Sequence, residues 1–158
     1  MTRLLPGAAA LWLLAAAAAH AEPCQIAIES NDMMRYDAHE ISVPASCSDV
    51  AVTLKDAGHL SAQVMGHDWV LARDADMPGI VSAGQAAGRT HGYLPQHDPR
   101  VIAATGIVGG GESATVTFST AQLTAGERYA FFCTAPGHAT TMHGRFVFGA
   151  GTRVALAR

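Results

Sequence analysis

The sequence predicts an all-β fold, a sandwich or barrel of short strands. Two observations carry this prediction. Short runs of alternating apolar residues recur along the chain, each closed by turn residues, and no long helical pattern interrupts them. Strands at this spacing are typical of β-sandwiches and barrels. We therefore expect antiparallel sheets around one apolar core.

Each predicted strand has its own pattern. The alternating runs, in chain order, are Ile26 and Ile28; Ile41 and Val43; Val50, Val52 and Leu54; and Ala114, Val116 and Phe118. Residues 128–133 (RYAFFC) are almost all apolar, which predicts a central strand. A strand over 145–148 completes the series.

The stretch from Asp74 to Pro99 differs from the rest of the chain. It is rich in Gly, Ala, Asp and Pro and shows no clean alternation. Met77, Ile80 and Val81 share one helical face, although the neighbouring glycines and proline weaken a helix. We predict a long connection with one small helix packed over the sandwich.

The first 21 residues have the pattern of a secretory signal peptide. A basic start precedes an apolar run from Leu4 to Ala19, and Ala19-His20-Ala21 is a typical cleavage site. The alternative is a membrane anchor, but the apolar run is short for a full span. We predict cleavage after Ala21, export from the cytoplasm and no membrane anchor.

The remaining chain is expected to hold one domain over 22–149 and a loose C-terminal tail over 150–158, because Thr152 to Arg158 lack a core partner. The sequence is mildly acidic, with 13 Asp and Glu against 10 Lys and Arg. Its arginines are scattered and form no basic stripe that would follow a phosphate backbone. We therefore expect no nucleic-acid partner. We also expect a monomer.

Three cysteines in an exported chain leave one without a disulfide partner. Cys24 and Cys47 both lie in the N-terminal part, and we pair them. Cys133 is then the odd thiol. In an oxidising compartment a lone thiol is a liability unless it is buried, catalytic or bound to metal.

The segment that begins at Cys133 presents a thiolate, an imidazole and a thioether within ten residues. Four residues separate Cys133 from His138, and three separate His138 from Met142. Soft sulfur ligands combined with imidazole suit copper, and a blue-copper site uses two histidines, a cysteine and a distant axial methionine. His67, next to an aromatic residue that belongs in the core, supplies the second histidine. The pattern predicts a copper site built from one remote ligand and three clustered ones.

Around these ligands the chain resembles the azurin family of cupredoxins. The matching segments are Ser30 to Asp32, Val64 to His67, Trp69 to Leu71, Ala75 to Met77, Arg100 to Ala103, Phe131 to Thr134, and Pro136 to His138 with Met142 and Gly144. The resemblance runs from about Glu22 to Phe148, and the spacing of the ligand loop is its most specific part. It implies a cupredoxin-like Greek-key β-sandwich or barrel with one small helical insertion. It further implies a periplasmic electron carrier, not an enzyme, with one copper (Cu⁺/Cu²⁺) per chain.

The same resemblance implies roles for single residues. The Gly66 carbonyl would be a weak axial ligand opposite Met142. His138 would be the partly exposed ligand that passes electrons to partners such as c-type cytochromes or periplasmic oxidoreductases. The Cys24–Cys47 disulfide would lie far from the copper.

Two residues beside the ligands depart from the family pattern. Asp68 stands where azurins usually carry Asn, a residue that links the two ligand loops. An ionised carboxylate has acceptors but no donor, so we expect an altered link. Ala135 replaces a family Phe, so we expect a less shielded site. Both changes bear on the reduction potential, which depends on hydrogen bonds and hydrophobicity around the thiolate.

Other functions fit parts of the pattern. A cysteine with a histidine suggests a thiol hydrolase, but the predicted metal site uses both groups and leaves no open position for a substrate. Copper nitrite reductases share the fold implied by the resemblance, but they are longer and have two such domains. A copper or zinc storage module would use the same ligands. Divalent affinity generally favours copper over zinc, and a rigid Cys/His₂/Met set favours redox work.

Overall fold

A computed structural model of the protein describes residues 22–158; the predicted signal peptide at 1–21 lies outside the described residues. The strands are β1 (Cys24–Asn31), β2 (Arg35–Tyr36), β3 (Glu40–Val43), β4 (Asp49–Asp56), β5 (Val70–Arg73), β6 (Ala103–Ala104), β7 (Ser113–Ser119), β8 (Tyr129–Phe132), β9 (His143–Phe148) and β10 (Ala155–Ala157). The helices are α1 (Ala62–Met65) and α2 (Met77–Ala87). Within residues 22–158 no helix has the length and apolar character to cross a bilayer.

The strands form two sheets, with orders β2-β1-β4-β7 and β10-β3-β9-β8-β5-β6. This confirms the predicted all-β sandwich. Two strand pairs, β1 with β4 and β3 with β9, are parallel, so the expectation of purely antiparallel sheets is wrong. Parallel pairing needs a long crossover connection. The chain provides such a connection between β1 and β4, because it forms β3 in the other sheet between these two strands.

The main core lies between the two sheets. Alternate residues of β1 and β4, such as Ile28 and Leu54, point inward and expose no surface. From the opposite sheet Phe131 meets them, and Trp69 stacks on it with ring centroids 6.2 Å apart. Each fully buried side chain of this size contributes about 1.5–3 kcal/mol of hydrophobic stabilisation.

A second apolar cluster covers the outer face of the larger sheet. Helix α2 lays Ile80 against Val70 and Phe132, which confirms the predicted small helix over the sandwich. Strand β8 is therefore buried on both faces, as its apolar sequence predicted. Gly84 suits this packing, because a Cβ there would lie 1.9 Å from the Tyr93 carbonyl oxygen. The one-turn helix α1 was not predicted.

The C-terminal residues are not a loose tail, which corrects the sequence-based expectation. Strand β10 pairs antiparallel with β3 at the edge of the larger sheet, and Leu156 packs against the main core. The run Ala155–Ala157 has only three residues, too few for an alternating pattern to mark a strand, and it pairs with the free edge of β3. At the start of β1, Cys24 forms the predicted disulfide with Cys47.

Candidate metal centre

Three of the predicted ligands meet at one end of the sandwich. The ligand atoms of His67, Cys133 and His138 all lie within 4.8 Å of one another, and all three residues are buried. The two imidazole centroids are 5.0 Å apart, and Cys133 Sγ lies 3.5 Å from His138 Nδ1. The fold therefore brings together residues that are far apart in sequence.

The remote ligand, His67, is fixed by backbone pairing just before β5. Its N–H donates to the Val108 carbonyl at 2.9 Å, and the Val108 N–H donates back at 2.8 Å. Gly66, directly before it, has no room for a side chain. A Cβ there would lie 2.5 Å from the Ala62 carbonyl oxygen and 2.6 Å from Ile107 Cγ2. Glycine thus lets the chain pass closely under α1 on its way into the site.

The loop of clustered ligands is closed by its own backbone. The Cys133 N–H donates to the Met142 carbonyl at 3.0 Å, which joins the first ligand of the loop to the last. The Met142 N–H in turn donates to the His138 carbonyl at 2.8 Å. Met142 has no exposed surface and packs with Cys133 and Ala135. The loop is therefore preorganised, with its three donor side chains gathered on one side.

The protonation chemistry of the cluster suits a metal. Neither ring nitrogen of His67 completes a hydrogen bond, although both are buried. Buried polar atoms nearly always have a partner. Burial lowers the pKa of His67, and burial together with His67 lowers that of His138. Both imidazoles are then neutral, which is the form that binds metal.

The buried Cys133 thiol also needs a neighbouring cation in order to ionise. Burial raises the pKa of the Cys133 thiol well above its ordinary value, and the Asp68 carboxylate adds to this effect. A buried thiolate is stable only beside a positive charge. A soft thiolate with two neutral imidazoles and an adjacent thioether is the donor set that copper prefers. The residues present therefore fit a copper ion.

Comparisons with known proteins agree with this chemistry. Residues 22–149 match the model of copper-binding proteins of the plastocyanin/azurin family. The chain belongs to this family. It is 49% identical to azurin-1 of Alcaligenes xylosoxydans xylosoxydans over 121 residues, which cover 77% of this chain and 94% of the relative. It is 44% identical to the azurin of Pseudomonas aeruginosa over 144 residues, which cover 91% of this chain and 97% of the relative.

Solved structures give the same result. The chain is similar to an azurin from the obligate methylotroph Methylomonas sp. strain J, with a TM-score of 0.76 and 40% identity, over 79% of this chain and 97% of that one. Family membership and the His-Cys-His cluster together make the protein a blue-copper electron carrier with one copper per chain, and not an enzyme.

Against this azurin-like background, Asp68 still joins the two ligand loops. One carboxylate oxygen accepts the Thr134 N–H at 2.7 Å, and the other accepts the Thr134 hydroxyl at 2.5 Å. Both residues are buried. Burial raises the pKa of Asp68, and the two Thr134 donors counteract part of that rise. Asp68 acts in this link only through its acceptor atoms.

Tyr36 is a residue of the site that the sequence did not reveal. Its hydroxyl donates to the Asp68 carbonyl, and its ring packs on the cluster of Cys133, Ala135 and Met142. On its other side the ring lies 5.6 Å from Phe131 of the main core. Tyr36 stands in the two-residue strand β2, far from every ligand in sequence, so no local motif marks it.

Ala135 and His138 shape the solvent side of the site. Ala135 is buried and Cys133 exposes no surface, so the small residue does not open the sulfur to solvent. Ala135 instead lines a cavity of about 200 Å³ that it shares with His138. His138 is 8% exposed, whereas His67, Cys133 and Met142 are fully buried. Of the four predicted ligands, His138 is thus the one that reaches the surface.

Proposed function

We propose that His67, Cys133, His138 and Met142 hold the copper, with the Gly66 carbonyl as a weak fifth ligand. The observation that carries this assignment is the convergence of two neutral imidazoles and a thiol within 4.8 Å, with Met142 packed against the cysteine. The unpartnered nitrogens of His67 support it. The role of Gly66 rests on the azurin resemblance and on its tight position directly before His67.

Copper bound by these residues supplies a one-electron couple between Cu⁺ and Cu²⁺. The protein keeps the donor atoms in place through the Cys133–Met142 and His67–Val108 backbone bonds, so little rearrangement accompanies electron transfer. Burial of Cys133 and Met142 keeps water away from the sulfur ligands. The partly exposed ring of His138 is the shortest route for an electron to leave the site.

We infer that redox partners dock over this end of the molecule. The exposed large apolar side chains of the described residues are Met33, Met34, Leu60 and Val64, and three of them lie at this end. Thr141 of the ligand loop donates to the Met34 carbonyl at 3.0 Å, so the first two flank the copper loop. Val64 lines the cavity beside His138. Suitable partners are c-type cytochromes or periplasmic oxidoreductases, reached after export of a monomeric chain cleaved at Ala21.

Stopped-flow kinetics with a reduced c-type cytochrome test this function. The copper(II) protein should oxidise the cytochrome in a second-order reaction and exchange electrons rapidly with its own reduced form. Slow self-exchange would indicate a storage protein instead, and steady-state nitrite reduction would indicate an enzyme. Amino-terminal sequencing of the protein purified from a periplasmic extract tests export, with Glu22 expected as the first residue.

A further inference from the structure

One arginine beside the copper site has no ion-pair partner within residues 22–158. Five of the nine Lys and Arg side chains in residues 22–158 contact a carboxylate, namely Lys55, Arg100, Arg128, Arg145 and Arg158. Arg89 instead donates through Nη2 to the Gln63 carbonyl at 2.6 Å. A guanidinium has five N–H donors, and a neutral carbonyl does not offset its charge. Arg89 is therefore held in place with most of its donors and its full charge available.

This arginine faces the cavity that contains the edge of His138. The cavity has a volume of about 200 Å³ and is lined by Arg89, His138 and neutral residues, namely Ala62, Gln63, Val64, Gly66, Tyr93, Ile107, Ala135 and Pro136. No Asp or Glu lies among these lining residues. The small side chain of Ala135 helps to leave room between Arg89 and His138. We call this cavity the Arg89 groove.

Two carboxylates that do not line the groove, Asp32 and Asp68, are bonded to donors elsewhere in the fold. Asp32 accepts the backbone N–H groups of His59 and Leu60 at 2.9 and 3.3 Å. Asp68 is buried and accepts both donors of Thr134. The chain as a whole has a formal charge of −3. A local positive charge beside the electron exit therefore stands out against an acidic protein and would attract anions.

We propose that the Arg89 groove receives a carboxylate side chain of the redox partner and so holds that partner beside His138. The proposal rests on the electron-transfer function proposed above. A carboxylate matches the planar guanidinium with two parallel hydrogen bonds, which give the pairing directional specificity as well as charge attraction. The partner would then be a redox protein whose electron-entry surface is apolar with an acidic rim. A partner with a basic rim would be repelled.

Electron-transfer rates with one anionic and one cationic small complex test whether the positive charge of Arg89 acts beside His138. The copper(I) protein is oxidised by hexacyanoferrate(III), an anion, and by tris(1,10-phenanthroline)cobalt(III), a cation. At low ionic strength, Arg89→Ala should slow the reaction with the anion about fivefold and should not slow that with the cation. Arg73→Ala is the matched control, since Arg73 is an exposed arginine at the far end of β5. It should leave both rates unchanged.

Binding of an acidic peptide tests the groove without electron transfer. Hexaglutamate is titrated into the ¹⁵N-labelled copper(I) protein, followed by NMR. We expect saturable shifts of the amides of Gln63, Arg89 and Tyr93, lost in Arg89→Ala and retained in Arg73→Ala. Arg89→Lys keeps the charge but not the paired donors, so it should bind more weakly than the native protein. Shifts centred elsewhere, or shifts that survive Arg89→Ala, would overturn the proposal.

The two experiments separate failure of the groove from failure of the function. A copper protein that reacts with neither complex would contradict the proposed electron-transfer function. Reaction with both complexes at rates independent of residue 89 would contradict the Arg89 groove alone.

Discussion

The two ends of the sandwich join distant chain segments by different means. At one end the Cys24–Cys47 disulfide ties the start of β1 to the segment before β4. At the other end, about 23 Å away along the eight residues of β1, His67 meets Cys133 and His138 through non-covalent contacts alone. The disulfide end is complete without a ligand. The copper end contains unpartnered nitrogens and a thiol whose ionisation burial opposes.

This difference teaches how the protein prepares a redox site. The frame around the ligands is satisfied, since Asp68 bonds to Thr134 and Cys133 bonds to Met142. Both ring nitrogens of His67 lack partners, so the frame holds this ligand in place before the metal arrives. Metal binding should therefore stabilise one end of the fold, and disulfide reduction should weaken the other without altering the site.

The largest expected effect is that of copper on stability. Any ligand that binds only the native state raises the free energy of unfolding, by about 4 kcal/mol when free copper exceeds its Kd a thousandfold. Chemical unfolding of the apo and copper-loaded forms measures this gain. Cys133→Ala is the control, and a gain of the same size in that variant would show that copper stabilises the fold from another place.

Removal of the disulfide should have a slightly smaller effect. The cysteines are 23 positions apart, and opening a loop of that size costs about 3 kcal/mol in the chain-entropy model. The double variant Cys24→Ala/Cys47→Ala should therefore unfold at lower denaturant concentration. Its copper absorption spectrum should be unchanged, because the two ends are separate. A changed spectrum would show that the ends are coupled.

Loss of the Asp68 carboxylate tests the link between the ligand loops. Asp68→Ala leaves the buried Thr134 N–H and hydroxyl without acceptors, which should cost about 2–3 kcal/mol in the free energy of unfolding. Asp68→Asn keeps one acceptor oxygen and should cost less. Equal unfolding midpoints for the two variants would show that the carboxylate does not support the loops.

Tyr36 should have a smaller effect at the same end. Tyr36→Phe keeps the ring that packs on Cys133 and removes only the hydrogen bond to the Asp68 carbonyl, which contributes about 1 kcal/mol. Tyr129→Phe is the control, since its hydroxyl accepts the Thr124 N–H at the other end of β8. Both variants should lose similar stability, but only Tyr36→Phe should shift the reduction potential. A shifted reduction potential in both variants would show that the copper site responds to changes at either end of the sandwich.

The smallest expected effect is on stability at acid pH, and it comes from an ion pair away from the copper site. Arg100 donates to Asp98 and lowers the pKa of that carboxyl to about 2. Because the pKa of Asp98 is lower in the native protein than in the unfolded chain, the pair stabilises the fold at pH values above about 3.9. This stability is lost as the pH falls toward about 2. Asp98→Asn should remove this part of the pH dependence of unfolding. An unchanged acid profile in that variant would contradict a contribution from the pair.

Sequence patterns predicted features that depend on local order. The short spacing from Cys133 to Met142 marks a donor set, and the alternation in β1 and β4 marks buried faces. Features that depend on long-range geometry could not be predicted from the sequence. Tyr36 reaches the site only because β2 lies beside the ligand loop, and β10 forms only because β3 offers a free edge. The Arg89 groove likewise exists only once α1 and the ligand loop are folded around it.

The central claim is that His67, Cys133, His138 and Met142 form one blue-copper centre. Its most direct test is the absorption and electron-spin-resonance spectrum of the copper(II) protein beside that of Cys133→Ala. We predict an intense blue thiolate-to-copper charge-transfer band in the native protein, lost on reduction and absent from the variant. A colourless copper(II) protein, or a variant that remains blue, would contradict this claim.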